Sequence, residues 1–284
     1  MKKNILEISL AIPDSILEES QTLLDKTIKI GQIARTCSIF GVEKIYIYND
    51  QKGKYENDRE ILKKILVYSE TPQYLRKKIF GNIKELQYVG TLPPLQTPHH
   101  RQINDYSELT SGEIREGIIE KINGKLYVDI GLTKMIKLIG SGRDMERISC
   151  KIIVMDKEIV AERINRELIE DYWGYNIKIA PSLGRLINSL KSDLIILTSR
   201  YGTYIKNIEN KLKQELIKNK KILIVFGSPQ RGLEEILKED NIEPEDISEF
   251  YINMVNNQKT KTIRAEEAIL ITLSLTNSLI KDNS

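Results

Sequence analysis

Between Leu92 and His100 the chain reads Leu-Pro-Pro-Leu-Gln-Thr-Pro-His-His, with three prolines in the eight residues from Pro93. Proline lacks an amide donor and fixes φ, so this run continues neither a helix nor a central strand. It is a boundary, and the patterns on its two sides differ in kind. Before it, the spacing predicts a strand over 5–12 stopped at Pro13-Asp14, helices over 14–25 and 25–40, and a strand over 44–48. The second helix ends at Phe40-Gly41, a turn follows the strand at 49–53, and helices over 58–69 and 71–80 complete the run, with Pro72 suited to a first turn. Strand and helix in alternation is the pattern of an α/β domain.

After the prolines the pattern is all β. Residues 112–122 alternate, Asn123-Gly124 is a hairpin signal, and 125–130 answers it. Short strands over 133–139, 148–155 and 158–164 follow, and five of them in about 55 residues predict a small barrel of the OB or S1 kind. Past Trp173 the alternation returns: strand 176–179, helix 183–190, strand 193–198, helix 203–219, strand 222–226, then a short apolar strand at 250–254 and a last helix from Arg264. The expected organisation is one α/β domain of residues 1–92 and 168–284, with residues 93–167 inserted as the barrel.

Composition narrows the class. Hydrophobic residues make up 40% of the 284 and charged residues 29%, which suits a soluble globular chain. Two cysteines and one His-His pair make neither a disulfide framework nor a zinc site, so no metal and a reducing, cytoplasmic setting are expected. A net charge of +3 leaves any nucleic-acid contact to a local patch. One is offered by residues 121–151, where Lys121, Lys125, Lys134, Lys137, Arg143, Arg147 and Lys151 face only Asp129, Asp144 and Glu146. Tyr127 sits among them, and a basic face with an aromatic suits single-stranded RNA.

The last third offers a ligand site. Phe226-Gly-Ser-Pro-Gln-Arg-Gly232 follows one strand, and the polar run Gln258–Arg264 follows another. Loops ending parallel strands lie at the carboxyl edge of a sheet, where α/β folds hold ligands. Neither loop is a GxGxxG or Walker A sequence, which disfavours dinucleotide and NTP readings. Thr198-Ser-Arg-Tyr-Gly202 reads as a third such loop, its hydroxyls placed either to bind ligand or to cap the next helix.

Four segments carry a resemblance. Lys29-Ile-Gly-Gln-Ile-Ala-Arg-Thr-Cys-Ser-Ile-Phe-Gly41, Leu92–His100, Phe226–Gly232 and Thr262-Ile-Arg-Ala-Glu-Glu-Ala268 are similar to motifs of the SPOUT superfamily of trefoil-knotted RNA methyltransferases. Within it, the chain resembles the archaeal and eukaryotic family that carries an OB-like insertion. The resemblance implies a knotted parallel sheet, S-adenosylmethionine bent between the knotted loops, an RNA substrate (ribosomal RNA first) and a homodimer that completes each active site. Residues 262–268 also resemble the Leu-Arg-x-Glu-Thr-Ala signature of enzymes that methylate uridine N3, with Ile263 and Glu267 in place of Leu and Thr. Uridine N3 is the preferred target and ribose 2′-OH the second. A knotted RNA-binding or ribosome-assembly factor with little catalysis is the alternative.

The resemblance assigns residues. Thr198, Ser199, Gly202, Phe226, Gly227, Ser228, Gly232, Asn253, Met254, Val255, Thr260, Thr262 and Ile263 are expected to hold the cofactor. Gly227 and Gly232 are read as positions of unusual φ or close approach. Arg35, on a helix with Ile28, Ile33, Cys37 and Phe40 as apolar partners, and Arg264 are expected to be catalytic. A guanidinium is a poor base but stabilises a developing anion. The stripe Ala268, Ile271, Leu275 and Leu279 fits the dimer interface that the resemblance implies, and equally an ordinary core face.

Overall fold

A computed structural model of the chain describes residues 6–103, 105–155 and 158–280. Its strands are β1 Glu7–Pro13, β2 Val42–Tyr48, β3 Ile114–Ile122, β4 Lys125–Asp129, β5 Ile136–Ile139, β6 Arg147–Met155, β7 Glu158–Ile164, β8 Asn176–Ala180, β9 Leu194–Tyr204, β10 Lys221–Val225 and β11 Tyr251–Asn253. Its α-helices are α1 Leu23–Ile39, α2 Glu56–Glu70, α3 Gln73–Phe80, α4 Leu183–Ser189, α5 Ile205–Lys218, α6 Leu233–Lys238, α7 Pro244–Ile247 and α8 Ala265–Leu279. Contacts divide the chain into two compact units. One comprises the described residues up to Val67, Lys84–Pro93 and those from Tyr175 onward; the other comprises Tyr68–Ile83 and Pro94–Gly174. Helix α3 and Leu168–Gly174 thus go with the barrel strands, which a boundary set at Pro93 and Glu167 does not anticipate.

The first unit is built on a six-stranded sheet in the order β11-β9-β10-β1-β2-β8, every pairing parallel. Parallel strands covered on both faces read as unbroken apolar runs. Leu10, Ala11 and Ile12 of β1, Ile45 and Ile47 of β2, and Leu223, Ile224 and Val225 of β10 are all fully buried. A helix over 14–25 does not form. A short 3-10 turn, Asp14–Leu17, ends there, and α1 begins at Leu23. Thr22 sets that start: its Oγ1 accepts from the Asp25 amide at 3.1 Å, while the Asp25 carboxylate accepts from the Thr22 hydroxyl at 2.6 Å. Threonine and aspartate at this spacing form a capping box rather than helix interior.

Helices α1 and α8 pack together, joined by the buried Lys29, whose Nζ lies 3.3 Å from Glu266 Oε2. Of the stripe expected on α8 for an interface, Ala268, Ile271 and Leu275 are half-buried and Leu279 lies in the core. Ile269, Thr272, Leu273 and Thr276 form the face beside it. The exposed apolar side chain of α8 is Leu270 at 45%, and α1 exposes Leu24, Ile28 and Ile39. Ile28 is thus solvent-facing rather than an apolar neighbour of Arg35.

The second unit is a closed five-stranded barrel in the order β3-β4-β5-β7-β6. Only β5 with β7 is parallel. Asn123 (φ +49°) and Gly124 (φ +78°) make the tight hairpin turn that their sequence predicts. Ile119, Val128, Ile130, Ile136, Cys150, Ile152 and Ala161 fill the barrel. Helix α3 is fastened to it by Tyr74, whose hydroxyl donates to the Glu116 carbonyl at 3.0 Å, and by Lys78, 2.7 Å from Asp129.

A buried polar network lies in this unit. Arg147 donates from Nε to Glu116 Oε2 at 2.6 Å and from NH1 to Glu70 Oε2 at 2.8 Å. Trp173 Nε1 donates to Glu116 Oε1 at 2.6 Å, and the His99 and His100 Nε2 atoms lie 2.9 and 2.7 Å from the Glu70 carbonyl. Burial alone would raise the Glu70 pKa, but Arg147 and His99 outweigh it and lower it to about 2. Burial, followed by the charge of His99, lowers His100 to about 4.

Both shifts are downward, so both stabilise at neutral pH and the benefit is lost on acidification. For His100 the window runs from its ordinary 6.5 down to about 4, and for Glu70 from 4.5 down to about 2. Emission of Trp173, the single tryptophan, should therefore move toward its solvent-exposed value as pH falls from 6.5 to 4. His100→Gln should delay that change. Emission constant down to pH 4 would contradict it.

Candidate active site

Strand β9 hides a break in its pairing. Leu197 is opposite Tyr251 of β11, but the next pairs are Thr203 with Ile252 and Tyr204 with Asn253. Its pairing with β10 also stops at Leu197. Residues 198–202 therefore leave the sheet and return, and they do so at the carboxyl ends of β9 and β10. Gly202 makes the return possible: a Cβ there would stand 2.6 Å from the Tyr251 carbonyl oxygen and 2.7 Å from the Ile252 nitrogen. Backbone atoms cannot yield as side-chain tips do, so Gly202→Ala should lower the thermal midpoint by several degrees, about 1–2 kcal/mol. An unchanged melting curve would show that the two segments are free to separate.

Hydrogen bonds draw three loops together at this edge. Thr198 Oγ1 donates to the Val225 carbonyl at 2.8 Å, where loop 226–232 begins. Asn253 Nδ2 donates to the Arg200 carbonyl at 2.8 Å, and Arg200 NH1 to the Lys261 carbonyl at 3.4 Å. Loop 226–232 is fixed from β2: the Tyr48 hydroxyl donates to the Phe226 carbonyl at 2.6 Å, and Arg231 NH1 to the Asp50 carbonyl at 2.6 Å. Arg231 also pairs with Glu235 at 2.7 Å and Glu239 at 2.5 Å, so its charge is spent holding the loop. Beneath it Asp14 and Asp50 lie side by side. Burial first, and then the bond and charge of Asp50, raise the Asp14 pKa to about 7.

Gly227 and Gly232 do not have the unusual backbone expected of them. Neither has a positive φ, and Gly232, at φ −71°, is the ordinary N-cap of α6. A Cβ on Gly227 would approach the Arg231 carbonyl oxygen at 3.1 Å, inside the loop itself. What Gly227 allows is the closure of the loop, with Ser228 N donating to the Arg231 carbonyl at 3.0 Å.

Thr198, Ser199 and Gly202 thus stand on the excursion, and Phe226, Gly227, Ser228 and Gly232 on the first loop. Asn253, Met254, Val255, Thr260, Thr262, Ile263 and Arg264 stand on the last. Glu267 Oε2 accepts from the Arg264 amide at 2.9 Å and caps α8, leaving the Arg264 side chain exposed. Arg35 is on none of these loops. It lies six residues beyond Lys29 on α1, about 9 Å farther along the axis, and is half-buried.

A concavity of about 420 Å³ opens at the ends of β2 and β8, beside Asp50, Ser182, Leu183, Glu239 and Asp240. Its carboxylates, Asp50, Glu239 and Asp240, outnumber the one cation there, Lys52, and disfavour an anionic ligand. By contrast, segments 198–202, 226–232 and 253–264 contain no acidic residue.

On the barrel, Lys121, Lys125, Lys134, Lys137 and Arg143 are exposed. Tyr127 is half-buried and pairs directly with Lys137 across β4 and β5, so the two share a face. Arg147 does not belong to that surface: its guanidinium is committed to Glu70 and Glu116. Sequence reasoning also passed over Tyr48, Arg200, Tyr201 and Lys261. An Arg-Tyr pair just beyond a buried strand was the available signal.

The family model described as "Putative RNA methyltransferase" matches residues 7–276. The chain belongs to this family. It is 32% identical to a 28S rRNA (uridine-N(3))-methyltransferase of Drosophila melanogaster, over 96% of this chain and 62% of the fly protein. With the Homo sapiens protein of the same name it is 30% identical, over 94% and 77%. An uncharacterized protein of Haloarcula marismortui is 28% identical, over 94% and 97%. The chain therefore spans less than two thirds of the fly relative's length. A SpoU methyltransferase structure from Streptomyces viridochromogenes, solved with AdoMet, aligns at a TM-score of 0.37 and 8% identity over 98% of this chain and 62% of that one. Among the described residues no helix is long and apolar enough to cross a membrane, and no group of three or more His, Cys, Asp or Glu is placed to hold a metal.

Proposed function

We propose that this chain is an S-adenosylmethionine-dependent RNA methyltransferase whose target is N3 of a uridine in ribosomal RNA. The observation that carries this reading is the joining of segments 198–202, 226–232 and 253–264 at one sheet edge, in a chain of an RNA methyltransferase family. The donor set fits the cofactor. Hydroxyls of Ser199, Ser228, Thr260 and Thr262 suit a carboxylate tail and a ribose, while Thr198 and Asn253, bonded to Val225 and Arg200, hold the loops around them. Backbone groups beside the buried Phe226 and Ile252 suit an adenine. Bound there, the cofactor supplies an electrophilic methyl group on sulfur.

The protein's own task is then positioning and charge. Uridine N3 carries an imide proton that must pass to water before its lone pair can bond to the methyl carbon, the carbon–sulfur bond breaking with its electron pair left on sulfur. Arg264, exposed at the start of α8, and Arg35 are the groups assigned to stabilise that anion. Preorganised loops keep the nitrogen in line with the methyl group. A knotted passage of chain, implied by the motif resemblance, belongs to this reading. A homodimer belongs to it too: Leu24, Ile28 and Ile39 on α1 and Leu270 on α8 are apolar, exposed and otherwise unexplained. The strand order of the barrel, with its one parallel pair, supports an OB-like domain that holds RNA through Lys125, Tyr127 and Lys137. Isothermal titration with S-adenosylmethionine tests the first step. Binding lost in Gly227→Val is expected, with a modest fall in the melting midpoint because the loop no longer closes on Arg231; a wild-type chain that shows no heat of binding and no ligand-induced rise in its melting midpoint would remove the cofactor from this reading.

A further inference from the structure

Tyr201 is the most exposed of the large hydrophobic side chains described, at 71%, on a segment whose backbone is held at every turn. Thr198 Oγ1 is bonded to Val225, the Tyr201 amide donates to Ser199 Oγ at 3.1 Å, the Arg200 carbonyl accepts from Asn253, and Gly202 is pressed against Tyr251. A fixed backbone that presents an aromatic ring to solvent gains nothing from core packing. Arg200 lies over that ring, its guanidinium carbon 4.6 Å from the centroid. The same guanidinium reaches the Lys261 carbonyl, which joins the ring to a loop with Lys259 and Lys261 exposed. No carboxylate occurs in either segment to neutralise these cations. Aromatic ring, stacked guanidinium and unopposed lysines are what an unpaired nucleotide requires: a face for its base and charges for its phosphates.

We propose that Arg200 and Tyr201 form a stacking platform for an unpaired RNA nucleotide beside the target base, with Lys259 and Lys261 holding the adjoining phosphates. This rests on the methyltransferase reading for its location but not for its chemistry. The platform is preformed, so it selects single-stranded or flipped-out RNA over a continuous duplex, whose bases offer no free face.

Anisotropy of a short fluorescein-labelled oligouridylate, titrated with the full chain, tests it. Tyr201→Ala should weaken binding about tenfold, and Tyr201→Phe, which keeps the ring, should stay close to wild type. The double variant Lys259→Ala, Lys261→Ala should flatten the salt dependence by about 1.4 in log–log slope, two phosphates' worth for a single strand. Titration of S-adenosylmethionine should be unchanged in Tyr201→Ala, which also controls for folding. A Tyr201→Ala chain that binds the oligouridylate like wild type would overturn the platform, as would a Tyr201→Phe chain as weak as the alanine variant, or a wild-type chain that binds no oligouridylate. A wild-type chain that shows the Tyr201 dependence but transfers no methyl group supports the platform and overturns the methyltransferase reading instead.

Discussion

Arg147→Met is expected to destabilise the chain by about 3 kcal/mol, the lower end of what removing one partner of a buried ion pair costs. The guanidinium bridges two carboxylates from distant parts of the second unit, Glu70 and Glu116, whose side chains are 5% and 4% exposed. Without it both are left buried with too little compensation. Arg147 itself keeps 23% of its side chain exposed, which admits water to the pair and holds the cost to that lower end. Methionine preserves most of the volume, so packing is not the cause. Urea unfolding followed by Trp173 emission should show the fall in midpoint, and it should reach beyond what Arg147→Lys produces, since an ammonium cannot serve both carboxylates with fork geometry. Lys137→Glu, an exposed change on the same barrel, should leave the midpoint within experimental error. Equal midpoints for Arg147→Met and wild type would mean that the network does not hold the unit.

Arg35→Ala is expected to lower methyl transfer about a hundredfold, roughly 3 kcal/mol of barrier, while cofactor affinity stays nearly constant. Arg35 is removed along α1 from the loops of its own chain, yet shares its helix with the exposed Ile28 and Ile39. Under the homodimer proposal those apolar residues face the partner and Arg35 enters the partner's site. Mixing Arg35→Ala with Arg264→Ala chains then restores part of the activity, because a mixed dimer retains one site with both arginines. A mixture as inactive as its components would place the two groups in one protomer, and a fully active Arg35→Ala chain would remove the residue from the reaction.

What the sequence made legible followed from local rules. The apolar runs at Leu194–Leu197 and Ile222–Val225 are buried, Ile195 in part, and parallel strands covered on both faces read as such runs. Asn123-Gly124 announced its hairpin because few other pairs accept two positive φ values. The loop edge holding Phe226 and Asn253 followed from strand order. Long-range contacts were not legible. Arg147 in a basic stretch looks like one more surface charge, and the carboxylates that claim it stand 77 and 31 residues away. Gly227 and Gly202 look alike as loop glycines. Only the crossing of Gly202 over Tyr251 shows which of them admits no side chain. Arg231 likewise sits in a motif that suggests chemistry, but Asp50, Glu235 and Glu239 make it a strut.

The proposed reaction is methylation of uridine N3 in RNA. Its most direct measurement incubates the purified full chain with isotopically labelled S-adenosylmethionine and ribosomal RNA from a strain lacking the gene, then digests the RNA to nucleosides for mass spectrometry. Label is expected in N3-methyluridine, absent when the RNA is omitted and strongly reduced with Arg35→Ala. Label in a 2′-O-methylated nucleoside would contradict the assigned atom, and no label in any nucleoside would contradict the proposed reaction.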